Sequence, residues 1–142
     1  MISDDGVPIT DRLSDIPIFG SCTAEQLERL AALGIARTVH DSEDVVHEGD
    51  KGGTFFVITS GRARVSRDGD DVDTLGPGDY FGELSLFDPA PRDATVTAVG
   101  DLSLISLSRA AFMQALDEIP MFRDSLLHGM ARRLHELDRR RG

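Results

Sequence analysis

The sequence predicts an α+β fold in which an antiparallel, jelly-roll-like β-roll is preceded by one helix and followed by two. Three observations carry this expectation. Near the start, Leu27, Leu30, Ala31 and Leu33 recur at helical spacing. Over residues 35–107 the pattern changes to short β-branched and aromatic segments punctuated by Gly and Asp, as in a compact antiparallel barrel or roll. After Ser108 the helical spacing returns and continues almost to the end.

Each element has its own signal. Residues 1–12, with Asp4-Asp5-Gly6 and Pro8, lack periodicity and read as a flexible tail, leaving 13–142 as the folded domain. Ile16-Pro17-Ile18-Phe19 is an apolar anchor. Thr23 can cap the first helix, Glu25 and Gln26 suit its first turn, and Gly34 ends it. Residues 55–58 are a buried-strand candidate, and Ala63-Arg64-Val65 alternates. Arg67-Asp68-Gly69-Asp70 has the composition of a hairpin turn. Leu75-Gly76-Pro77-Gly78-Asp79 is a second turn, and two further strands are expected at 94–99 and 102–107.

Ser108 then caps a helix carrying Ala111, Phe112, Ala115 and Leu116, and Pro120 opens another that runs to about residue 139. In that last helix Leu127, Met130, Leu134 and Leu137 form an apolar seam. The seam suits two roles: a lid packed on the roll, or the face of a homodimer.

Composition narrows the function classes. A chain of 142 residues with 40% hydrophobic content fits one domain with an ordinary core. The formal charge of −10 argues against a nucleic-acid surface, which needs a clustered excess of Lys and Arg. The arginines at 132, 133 and 139–141 are a local exception, and they suit the negative end of a helix dipole. The single cysteine, Cys22, allows no intrachain disulfide. With no cationic leader and no long apolar segment, the expectation is a cytoplasmic protein without membrane insertion. His40, His47, His128 and His135 include no His-x-His pair with a nearby glutamate, so neither a metal nor a cofactor is expected. No nucleophile and base stand in a recognisable motif, and an enzyme is not expected.

The residues that carry chemistry are concentrated in the run Phe81-Gly82-Glu83-Leu84-Ser85-Leu86-Phe87-Asp88-Pro89-Ala90-Pro91-Arg92-Asp93-Ala94-Thr95. Its glycine opens a segment whose free amides can point at an anion, and Glu83 offers a carboxylate to hydroxyls. The Pro-x-Pro rim stiffens the loop before Arg92, whose planar fork suits two phosphate oxygens. Ser85 and Ala94 are small enough to admit a ligand close to the backbone.

This run resembles the phosphate-binding cassette of cyclic nucleotide-binding domains, the family of catabolite activator proteins and protein kinase A regulatory subunits. Upstream, Val45-Val46-His47-Glu48-Gly49-Asp50-Lys51-Gly52-Gly53-Thr54-Phe55-Phe56-Val57-Ile58-Thr59-Ser60-Gly61 resembles the family's second signature, an apolar pair, Gly-Asp-x-Gly, four apolar residues and a spaced Gly. The resemblance covers roughly residues 14–139. It implies a sensor that binds cAMP, or less readily cGMP, and signals to an effector protein by repositioning its C-terminal helix. A DNA-reading module like that of the catabolite activators is not expected, since the sequence stops where one would begin.

The resemblance also implies roles for particular residues. Arg92 would anchor the phosphate and Glu83 would accept from the ribose 2′-hydroxyl. Phe81, Gly82, Leu84, Ser85 and Ala94 would supply amides and shape. Thr95 would either contact the purine or face the core as a strand residue. Arg133 resembles a last-helix arginine that helps bind the phosphate in catabolite activators, and a solvent-facing helix arginine is the alternative. Asp93 departs from the family, which carries Ser, Thr, Ala or Gln after the arginine. Two like charges about 4 Å apart at an effective dielectric near 20 repel by about 4 kcal/mol before screening. The alternative function is therefore a protein-interaction module on the same fold that no longer takes a nucleotide. A further option is that Asp93 accepts from a guanine edge.

Overall fold

The computed structural model describes residues 22–82 and 94–141, together with Leu13, Ile16, Phe19 and Gly20, and side chains as far as Arg132 in the last helix. The tail assigned to 1–12 lies outside the described residues. Among those described, the elements run α1 (Ala24–Leu33), β1 (Ile35–Val39), β2 (Asp44–Val46), β3 (Thr54–Arg67), β4 (Asp70–Leu75), β5 (Tyr80–Phe81), β6 (Thr95–Ser108), α2 (Arg109–Glu118) and α3 (Pro120–Arg141).

Local chemistry sets most of the boundaries. Thr23 and Gln26 form a capping box at α1, each side chain bonding the other's backbone N–H, which satisfies two amides that a helix start leaves without partners. Gly34 ends α1, although in extended rather than left-handed backbone (φ −95°). Its small size matters for a different reason: a Cβ there would stand 2.6 Å from Ile105 Cγ2 on β6. Ser108 accepts from the Ala111 N–H at 3.2 Å and starts α2. Asp68 and Gly69, at φ 53° and 85°, make the two-residue β3–β4 turn, whose positive φ pair matches the twist of a hairpin.

The sheet is antiparallel throughout, in the order β1-β6-β3-β4, with β2 also on β6 and β5 also on β3. Its frame is one long ribbon of β3 and β6, each 14 residues. The separate strands expected at 94–99 and 102–107 are this single strand β6. Gly100 (φ 74°) does not break it, because β3 pairs with it on both sides of the bend. Register shifts between Ile58 and Ser60 and between Ser60 and Arg62 insert bulges that bend the ribbon without ending it. Gly61 sits in the bend at φ 88°, and any Cβ there would overlap the carbonyl oxygen of Asp101. The Asp41 carboxylate accepts from the Gly100 N–H at 2.7 Å and holds the opposite side.

Alternation along the ribbon makes two cores. Phe55 and Val57 on β3, with Ile105 and Leu107 on β6, face a helical layer containing Leu27, Leu30, Phe112, Phe122 and Leu126. Phe56 and Ile58, with Leu102 and Leu104, face the interior of the roll with Ala63, Val96 and Ala98. The run 55–58 is therefore apolar at every position because both faces of the strand are covered. Among the described side chains of α3, Phe122 and Leu126 are buried and Met130 is partly buried against the same core, whereas Leu127 is 57% exposed. Of the seam read in the sequence, Met130 lies on the packed face of α3 and Leu127 does not; the side chains of Leu134 and Leu137 lie outside the described residues.

Candidate functional site

The two ends of the cassette are placed by the fold, while Glu83, Leu84, Ser85, Arg92 and Asp93 lie outside the described residues. The upstream end leaves β5, a strand of only two residues, and both of its side chains are anchored. Phe81 faces the roll interior and stacks on Phe56, with ring centroids 4.9 Å apart and planes 20° from parallel. Tyr80 points the other way, into the helical layer, 5.7 Å from the Phe55 ring. Backbone bonds continue the pairing just upstream, from Ile58 N–H to Asp79 O and from Gly78 N–H to Ile58 O, both 2.9 Å. Gly82 follows at φ 90°, a conformation that suits glycine.

The downstream end rejoins the sheet at half-buried Ala94 and Thr95, where β6 begins. Thr95 pairs with Ser66 of β3, and Val96 pairs with Val65 of β3 and Val46 of β2. The Thr95 hydroxyl oxygen accepts from the Glu48 N–H at 2.9 Å. Thr95 is thus the first residue of β6, and its hydroxyl oxygen takes one bond within the protein. Both lips of the cassette are thus registered to β3, the upstream one at Phe56 and the downstream one at Ser66, with the Gly61 bend between them.

A further contact joins this site to the last helix. The ring of Tyr80 reaches the backbone of α3 at Gly129, where an added Cβ would lie 2.5 Å from the Tyr80 hydroxyl oxygen. The residue that positions the upstream lip therefore abuts the C-terminal helix. Arg133 is one turn further along α3, and its side chain lies outside the described residues. From the sequence none of Glu48, Phe56, Tyr80 or Gly129 has a role at the site, although Glu48 and Phe56 lie within the second signature. Two had a usable signal: Glu48 stands beside the Gly-Asp pair of the second signature, and alternation alone assigns Tyr80 and Phe81 to opposite faces. Among the described residues no group of His, Cys, Asp and Glu is arranged to hold a metal ion, and no helix is long and apolar enough to cross a membrane.

Comparison with known proteins assigns the family. Residues 36–118 match the cyclic nucleotide-binding domain. The cAMP-dependent protein kinase regulatory subunit of Debaryomyces hansenii is 36% identical over 107 residues, covering 75% of this chain and 24% of that protein. The solved Thermus thermophilus catabolite activator protein superposes with a TM-score of 0.79 at 30% identity, covering 86% of this chain and 60% of that one. PKAR CBD2 with bound Sp-2Cl-cAMPS superposes at 0.73, again at 30% identity, covering 91% and 88%. The chain belongs to the cyclic nucleotide-binding domain family. It spans a quarter to about three fifths of the length of curated relatives such as that regulatory subunit and the Thermus thermophilus cyclic AMP receptor protein.

Proposed function

We propose that the chain is a regulatory cyclic nucleotide sensor: it binds cAMP in preference to cGMP, and the bound nucleotide changes the pose of α3, which is the surface offered to an effector protein. The observation that carries this reading is the shared anchoring of the site. Both lips of the cassette are registered to the bent strand β3, and Tyr80 at the upstream lip abuts α3 at Gly129. A nucleotide that draws Glu83 and Arg92 together acts on Phe81 and Tyr80 directly, so its charge and hydroxyls have a short mechanical route to the helix. The relatives add support, since several are named for cAMP. In this reading the domain works by binding, without catalysis, metal or membrane insertion, and the stand-alone, cytoplasmic role belongs to the same proposal.

Calorimetric titration with cAMP and with cGMP is the direct test. Saturation at about 100 times the dissociation constant stabilises the folded state by about 2.7 kcal/mol, which for a domain of this size raises the melting temperature by roughly 5–10 °C. Absence of both heat and thermal shift at millimolar nucleotide would sink the proposal.

A second reading is favoured by one residue. By the family resemblance, position 93 stands next to the phosphate, and the carboxylate of Asp93 there suits an interaction module indifferent to nucleotide. Asp93→Ser separates the two. On the sensor reading with Asp93 as a brake, the substitution tightens cAMP binding by about tenfold or more; on the module reading, partner binding is unchanged by nucleotide in both proteins.

A further inference from the structure

We infer that Glu48 is a positioning residue for the downstream lip of the nucleotide site, using its backbone and its side chain to tie three separate segments together. The inference rests on the cyclic nucleotide reading above and names a residue that acts on that site without touching the ligand.

Glu48 lies in the β2–β3 connection, just before Gly49, which turns at φ 89°. Its N–H donates to Thr95 Oγ1 at 2.9 Å, across 47 residues of sequence. Its carboxylate Oε1 accepts from the Asp68 N–H at 3.0 Å, across 20. Asp68 opens the β3–β4 turn in the left-handed region (φ 53°), a conformation that a non-glycine residue adopts at some cost and that an acceptor placed on its amide helps to hold. One residue thus fastens the β2–β3 connection to the β3–β4 turn on one side and to the first residue of β6 on the other. The two bonds add to the sheet pairing beside them, where Thr95 pairs with Ser66 and Val96 with Val46.

The consequence falls on Arg92. Thr95 is three residues after Arg92 and two after Asp93, so the position of the Thr95 backbone sets where the preceding loop re-enters the sheet. A fork that must meet two phosphate oxygens at hydrogen-bond distance tolerates little displacement of its base. The Thr95 hydroxyl accepts from Glu48 and keeps its own proton, so Ser conserves the link and Val removes it.

The two halves of the clamp can be removed separately, because Glu48→Ala deletes the carboxylate and leaves the backbone donor, whereas Thr95→Val deletes the acceptor and leaves Glu48 intact. Each variant is expected to weaken cAMP binding by about 3- to 10-fold, with Glu48→Gln and Thr95→Ser within about twofold of the parent. The double variant Glu48→Ala/Thr95→Val should lose less than the product of the single effects, as expected for two parts of one device. Hydrogen exchange in nucleotide-free protein provides the arm that needs no ligand: the Asp68 amide should exchange faster in Glu48→Ala, and the Glu48 amide faster in Thr95→Val. Parental affinity in both single variants, or unchanged exchange at both amides, overturns the inference. Equal losses in the conservative variants would overturn it as well. If the parent shows no heat with either nucleotide, the sensor reading fails by itself, and the clamp is then judged on the exchange data alone.

Discussion

At the scale of single residues, steric space explains why several small residues cannot be exchanged. Gly61 combines a positive φ with the Asp101 carbonyl at the site a Cβ would occupy, so Gly61→Ala meets both backbone strain and a clash with main chain that cannot rotate away. The variant should lose about 2 kcal/mol or more of stability, read from the urea midpoint with an unchanged slope. An unaltered midpoint would mean that the bend is not built as described. Gly61 was visible in the sequence as a spaced glycine of the second signature, but its reason was not. The positive φ follows from where β6 passes, and β6 is some forty positions further along the chain.

At the scale of elements, the joint between β5 and α3 makes a prediction whose sign depends on one oxygen atom. Replacing a helical glycine by alanine ordinarily stabilises by about 1 kcal/mol. At Gly129 the new Cβ would sit 2.5 Å from the Tyr80 hydroxyl oxygen but 3.6 Å from Cζ, an ordinary contact. Tyr80 is 6% exposed, and its ring is held against Phe55, so it has little room to retreat. Gly129→Ala should therefore destabilise the parent by about 1–3 kcal/mol. In a Tyr80→Phe background, where the oxygen is gone, the same substitution should be neutral or stabilising. Thermal melts of the four proteins check the sign reversal, and a loss of equal size in both backgrounds would show that Tyr80 does not set the fit of α3. Helix α3 itself was legible from Pro120 and its periodicity, and the face that packs was legible at Met130 but not at Leu126 or Leu127. Leu127 and Leu126 are equally apolar neighbours, and only the position of the Phe19, Phe112 and Phe122 rings determines which of them turns inward.

At the scale of the whole molecule, the helical layer is held across its surface by an ion pair between α1 and α2. Arg29 meets Glu118 through two hydrogen bonds of 2.6 and 3.1 Å, and Gln114 donates to the same carboxylate at 3.0 Å. The Arg29 hydrogen bond, helped by Gln114, lowers the Glu118 pKa from 4.5 to about 2. A carboxylate depressed in the folded state contributes stability above its unfolded pKa and loses it as pH falls through its folded pKa. The melting temperature of Glu118→Gln should therefore lie below the parent's at pH 7, with the gap narrowing as pH drops from 4.5 toward 2. A gap independent of pH would assign the effect to packing instead. Both side chains are more than a third exposed, so the effect should be modest and should shrink in high salt.

By itself the sequence determined the class of fold, the family and the order of its parts, because these rest on local signals: period, caps, turn pairs and gapped motifs. The capping box at Thr23, the Asp68-Gly69 turn and the Ser108 cap each depend on residues within a few positions of one another, and all were legible. Only the tertiary structure decided that 94–99 and 102–107 are one bent strand, that Thr95 answers to Glu48, and that Tyr80 meets Gly129. Each of those depends on residues far apart in the chain brought within contact by the fold, where distance and the shape of the gap, rather than residue type, determine the outcome.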